Sequence, residues 1–383
     1  MKSKKALGIL DIFLEATNNL YNDYLKEWKD NGGKITGYTC SYMPEEIISA
    51  AGSIPFRLRG KRNIDLESVD RYLGPFGCTY VSHFLETALG DDLDFLNGMV
   101  FVNTCDHMRR MFDNIKRFKT SQYAHILDVP KKREKAEIEL FRGELEGLKR
   151  ELEAQYSVKI TDDRLWEALR LHNETRSLQR ELYNLRRHKY PPITGAQTLA
   201  VMVAGTSMPK EKYNLYLREL INELQKESNS NTYKARLMVV GPSMDDPKLF
   251  NVIEDVGGLI VTDSICHGTR VFWNTVDESA NDPLLALARY YIGDRPSCPH
   301  SIGQTQRSEY IKQMKQDFAV DGIIGLRLKF CELWGFEHHL LQNAFKEADI
   351  PFLSLETEYK LGAVGQLRTR VQAFLEVIEG SKP

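Results

Sequence analysis

"ARLMVVGPSMDDPKLFNVIEDVGGLIVTDSIC", residues 235–266, decides the fold class. "ARLMVVG" is a short apolar run closed by glycine, the signature of a buried strand. "DDPKLFNVIEDVGG" predicts a helix, with proline near its start and a glycine end. "LIVTDSIC" predicts a second strand. Two strands joined through a helix must lie parallel, because a hairpin leaves no room for the crossover.

Working outward, "DGIIGLRLKFC" (321–331) and "IPFLSLETEY" (350–359) repeat the pattern around the helix "FEHHLLQNAFKEA" (336–348). "SIPFRLRG" (53–60), "GMVFVNT" (98–104) and "QYAHILDVP" (122–130) carry the same alternation into the first half. Pro44, Glu45 and Glu46 suit the first turn of a helix, with acids against its dipole. From about residue 131 the pattern becomes long, charged and helical, with Leu145, Leu148 and Leu152 on one stripe and Thr161 as an N-cap. The expected class is α/β: two Rossmann-like parallel-sheet domains, an N-terminal helix and a helical insertion between them. The expected division is 1–190 and 191–383.

With 383 residues, one core is a poor fit and two domains are the default. A net charge of −2 gives no footprint for nucleic acid. No apolar run is long enough to span a membrane. The amphipathic start lacks a cleavage site, so a cytoplasmic chain is expected. In a reducing compartment the six cysteines are not expected to form disulfides. None belongs to a CxxC pair, which removes zinc-ribbon and thioredoxin readings.

Cys105, Cys266 and Cys331 each follow a predicted strand, where an open parallel sheet presents its ligands. Cys40, Cys78 and Cys298 lie in the loops "GYTCSY", "GPFGCTY" and "RPSCPH". A single free cysteine is usually a small buried hydrophobe. Six at strand ends and Gly/Pro loops fit that poorly, and thiolates without paired spacing suit an iron–sulfur cluster better than zinc. His267 and His300 stand one and two residues from cysteines; His267 is the candidate proton donor, and both equally fit ordinary loop histidines. Arg270 and Arg295 are placed to lower the cost of adding negative charge, or to make ordinary salt bridges. No P-loop occurs.

"GYTCSYMPEEIISAAGSIPFRLRG", "NTCDHMRR", "TDSICHGTR", "RPSCP", "LKFCELWGFE" and "GQLRTRVQAFLE" together resemble the 2-hydroxyacyl-CoA dehydratase / benzoyl-CoA reductase family over nearly the whole chain. The resemblance implies paired subunits, homodimer or heterodimer, and a separate ATP-hydrolysing iron–sulfur activator that injects low-potential electrons. It also implies a [4Fe–4S] cluster on Cys78, Cys105 and Cys331. The additional Cys40, Cys266 and Cys298 resemble the double-cubane branch, in which six thiolates hold an [8Fe-9S] cluster. Glu332 and Leu333 stand where relatives often carry Asp-Pro. The expectation is an iron–sulfur reductase component acting on a small molecule. The alternatives are an acyl-CoA dehydratase or aryl-CoA reductase subunit with one [4Fe–4S] cluster, and a non-catalytic cluster carrier.

Overall fold

The computed structural model describes residues 2–119, 123–227 and 232–380. Its eight strands are β1 (Lys34–Tyr38), β2 (Ser53–Arg57), β3 (Gly98–Asn103), β4 (Tyr123–Asp128), β5 (Ala235–Val240), β6 (Gly258–Ser264), β7 (Gly322–Leu328) and β8 (Phe352–Thr357). They form two four-stranded sheets, ordered β2-β1-β3-β4 and β6-β5-β7-β8. Every pairing is parallel. The two halves therefore share one topology, and the α/β class expected from residues 235–266 is the class observed.

The inner strands β1, β3, β5 and β7 are apolar and buried on both sides, as parallel strands covered by helices require. The two long helices, Lys135–Tyr156 and Asp162–Asn184, occupy the segment expected to be helical. Thr161 caps the second by accepting from the Arg164 N–H. Phe141, Leu145, Leu148 and Leu152 bury one stripe against Tyr42, Ile47 and Val102 of the first half and Leu284 and Leu287 of the second. The N-terminal helix Lys4–Asn18 packs its Ile9, Leu10 and Phe13 stripe with Leu182, Val201 and Leu217. The halves are thus tied together by the N-terminal helix and by the two long central helices. Among the described residues no helix is long and apolar enough to cross a membrane.

In each sheet the chain leaves the middle in opposite directions, between β1 and β3 and between β5 and β7. The carboxyl ends of strands at such a switch point border a crevice where ligands bind. Cys40 lies two residues past β1 and Cys105 two past β3; Cys266 follows β6 and Cys331 follows β7. Cys40, expected in a loop, is in fact a fourth strand-end thiol. The strand "KITGY" is short and interrupted by glycine, so its period is weak in sequence.

Candidate metal centre

Three of the six thiols occupy one kind of position. Cys78, Cys105 and Cys331 are each the residue before a helix: Thr79–Leu89, Asp106–Phe118 and Glu332–Glu347. The free N–H groups and the dipole of a helix start favour negative charge there. Hydrogen bonding from Cys331 lowers the Cys78 thiol; burial opposes this, and the Val81 and Tyr80 N–H groups assist. Cys331 moves the opposite way, raised by its bond to Cys78 and by burial. The two thiols are hydrogen-bonded to each other and titrate as a pair, Cys78 being the one pushed down. Burial pushes Cys105 up to about 12, against the Met108 and His107 N–H groups, and it feels the charges of Cys78 and Cys40.

The other three are stabilised differently. Cys40, raised to about 11 by burial, feels Cys298 and Cys266. Cys298 is raised by burial and by Cys266, with Arg270 opposing. Burial also acts to raise Cys266, but Arg270, Arg57 and Arg295 outweigh it and hold the thiol below its ordinary range. Arg270 donates to the Cys266 sulfur at 3.0 Å, and Arg57 to the Cys266 carbonyl at 2.6 Å. All three guanidiniums are more than nine-tenths buried. None pairs with a carboxylate among the described residues, although each lies beside thiols. Buried cations without counter-ions are costly unless an anion belongs beside them.

The loop carrying Cys266 is held from below. Asp263 Oδ1 accepts from the Thr269 N–H at 2.9 Å, and its carbonyl accepts from the Thr269 hydroxyl at 2.6 Å. Gly268 permits this fold-back, because a Cβ there would meet the Asp263 carboxylate at 1.8 Å. Cys298 follows the π-helical segment Arg289–Asp294, which ends on Arg295; that guanidinium lies 4.5 Å over the Tyr42 ring and 5.0 Å over Tyr291.

By their mutual electrostatic influence the six thiols fall into two groups, Cys78/Cys105/Cys331 and Cys40/Cys266/Cys298, with Cys105 also feeling Cys40. Each trio draws on both halves of the chain. The family model for the 2-hydroxyglutaryl-CoA dehydratase D-component matches residues 40–378, which include every one of these cysteines. The chain belongs to this family. Among its relatives, the (R)-phenyllactyl-CoA dehydratase beta subunit of Clostridium sporogenes is 28% identical, over 96% of this chain and 97% of its own. A benzoyl-CoA reductase subunit of Thauera aromatica is 26% identical, over 92% and 94%. The beta subunit of (R)-2-hydroxyglutaryl-CoA dehydratase from Acidaminococcus fermentans is also 26% identical, over 92% and 94%.

The histidines divide. His300 bonds the Thr104 and Val129 carbonyls at 3.1 and 2.9 Å, a structural bridge between the halves. His267 is buried, with Nε2 unpartnered, and is driven well below its ordinary pKa by burial and by Arg57, Arg59 and Arg62. It is therefore a neutral imidazole, lining a cavity of about 30 Å³ with Cys266, Tyr38, Glu45 and Lys210. His338 bonds the Ser354 hydroxyl at 2.7 Å while His339 faces outward, as neighbours on a helix do.

Two functional groups escaped the sequence reading. Arg57 is one; it was not singled out from the predicted strand "SIPFRLRG". The other is the pair Glu45 and Glu46, read only as first-turn acids against the helix dipole but buried and bonded to Lys210 (2.6 Å) and Arg176. Their signal was there: two acids flanked by "YMP" and "IISAAG", an apolar setting that demands partners.

Proposed function

We propose that this D-component chain is the electron-accepting component of an iron–sulfur reductase, holding a double-cubane [8Fe-9S] cluster on Cys40, Cys78, Cys105, Cys266, Cys298 and Cys331. The sorting of six thiols into two groups of three carries the reading: two four-iron units joined by a sulfide leave three protein ligands each. The donor set fits. All six are sulfur, the ligand type that selects such clusters. Among the described residues no three His, Cys, Asp or Glu side chains converge tightly enough for a single ion, and a cluster needs wider spacing. When bound, such a cluster supplies low-potential electrons one at a time.

In this reading the protein supplies charge and exclusion. Three helix starts face the Cys78 trio, and Arg57, Arg270 and Arg295 face the Cys266 trio, so added negative charge costs less at both ends. His267, neutral and half-bonded, would hold or pass a proton beside Cys266. The electrons would come from an ATP-hydrolysing iron–sulfur activator, and the chain would work as a dimer.

One observation favours a second reading, an acyl-CoA dehydratase or reductase subunit with one [4Fe–4S] cluster on Cys78, Cys105 and Cys331. Cys105 opens onto a cleft of about 800 Å³ lined by Arg109, Lys131 and Phe336, roomy and basic enough for the nucleotide part of CoA. The two separate in a turnover assay with ATP, activator and a low-potential reductant, run without oxygen. ATP-dependent reduction of small unsaturated molecules, abolished by Cys331→Ser, is expected. Turnover of acyl-CoA esters alone would replace the first reading by the second. No turnover with the cluster intact would leave a carrier.

A further inference from the structure

Behind the arginines of the Cys266 trio lies a separate cavity of about 240 Å³. Its floor is Arg270, Arg295 and Ser297, each more than nine-tenths buried. Gln306 and Gln313, both exposed, stand at its rim with Asp294. Trp273 and Trp334 form its walls, the latter 4.9 Å beneath the Arg270 guanidinium.

The floor has unspent donors. Arg270 uses Nη2 for the Gly241 carbonyl and the Cys266 sulfur; Arg295 uses Nη1 for the Ser41 carbonyl. The Nε atoms of both arginines have no partner among the described residues, and the Ser297 hydroxyl has none either. Two acids line the cavity. Glu337 is consumed by a two-pronged bond from Arg307, at 2.8 and 2.6 Å. Asp294 stands at the rim. A fourth arginine, Arg133, spends its guanidinium on the carbonyls of Ile292, Gly293 and Arg295. Four cations against two acids leave the lining positive. Planar forks of this kind match carboxylate and oxyanion oxygens.

We infer that this cavity binds a small anion, a short carboxylate or a tetrahedral oxyanion, through Arg270, Arg295 and Ser297. The volume lies below the range that holds drug-sized ligands, so a CoA thioester is too large for it. Because Arg270 also holds the Cys266 sulfur, an anion here would share that guanidinium with the thiol trio. Its role as substrate or effector rests on the function proposed above; its binding does not.

The test is a titration of the anaerobically purified chain with acetate, phosphate and chloride at constant ionic strength, followed by tryptophan fluorescence and thermal unfolding. Saturable change with acetate or phosphate, but not with chloride, is expected, and which of the two saturates assigns carboxylate or oxyanion. Arg295→Gln should weaken binding by about tenfold or more, the scale of one charged hydrogen bond. Gln306→Glu, an exposed rim change that leaves the floor intact, should weaken it roughly threefold by repulsion. Equal responses to all three salts, or binding indifferent to Gln306→Glu and Arg295→Gln, would overturn the assignment. Iron content, measured on the same samples, reads the cluster separately.

Discussion

Glu46→Ala is expected to destabilise the chain by roughly 3–5 kcal/mol, the cost of stranding a buried charge. Glu46 is fully buried and Arg176 is 5% exposed. Arg176 bonds one Glu46 oxygen and the Asn173 side chain, while the Tyr291 hydroxyl donates to the other oxygen at 2.9 Å. Arg176 also lies 4.5 Å over the Tyr290 ring. These contacts join helix Glu45–Ala50, helix Asp162–Asn184 and the segment leading to Arg295 and Cys298. Removing the carboxylate leaves the guanidinium buried without a counter-ion. Urea unfolding should show the loss as a lower midpoint with an unchanged slope. The double replacement Glu46→Leu with Arg176→Met should recover much of it, because the charge then leaves with its partner. A single-variant loss of only about 1 kcal/mol, the value of a surface pair, would contradict the account.

Acid should weaken the same region through His172. Its ring is buried, and burial lowers its pKa from 6.5 to about 4, with Glu46 and Glu45 opposing and Lys210 and Arg176 assisting. Ser49 bonds its Nε2 at 2.9 Å. Between pH 6.5 and about 4 the unfolded chain binds a proton that the folded chain refuses. Stability is therefore complete above pH 6.5 and falls as pH drops through that window, by roughly 3 kcal/mol at ~1.4 kcal/mol per unit. Glu45 is raised by burial but brought down to about 2 by Lys210, His172 and Tyr38. It adds a further loss below its ordinary 4.5. His172→Asn should flatten unfolding free energy between pH 4 and 6.5 while leaving the steeper fall at lower pH. An unchanged slope there would show that His172 is not held neutral.

Much of this was legible before the structure. Strand–helix alternation at residues 235–266 and 321–359 dictated parallel sheets, since side-chain period and crossover length leave few other arrangements. The positions of Cys105, Cys266 and Cys331 at strand ends followed directly. The sorting of thiols did not, because Cys40 meets Cys266 and Cys298 across more than 220 residues of chain, and no local pattern records that distance. The helix starts at Cys78, Cys105 and Cys331 were also hidden. The helix after β7 begins immediately at Glu332, whereas the apolar rhythm suggested a start near Phe336. Arg57 shows the same limit. An arginine in a strand reads as outward-facing until the second half of the chain buries it.

The central claim is that the six thiols act as two groups of three. Iron and acid-labile sulfide, counted on chain purified without oxygen, test it most directly. About eight irons per chain are expected, with about four remaining when Cys40 or Cys298 is replaced by serine. Four irons in the parent chain, unchanged by Cys298→Ser, would reduce the centre to the Cys78, Cys105 and Cys331 trio and contradict the account.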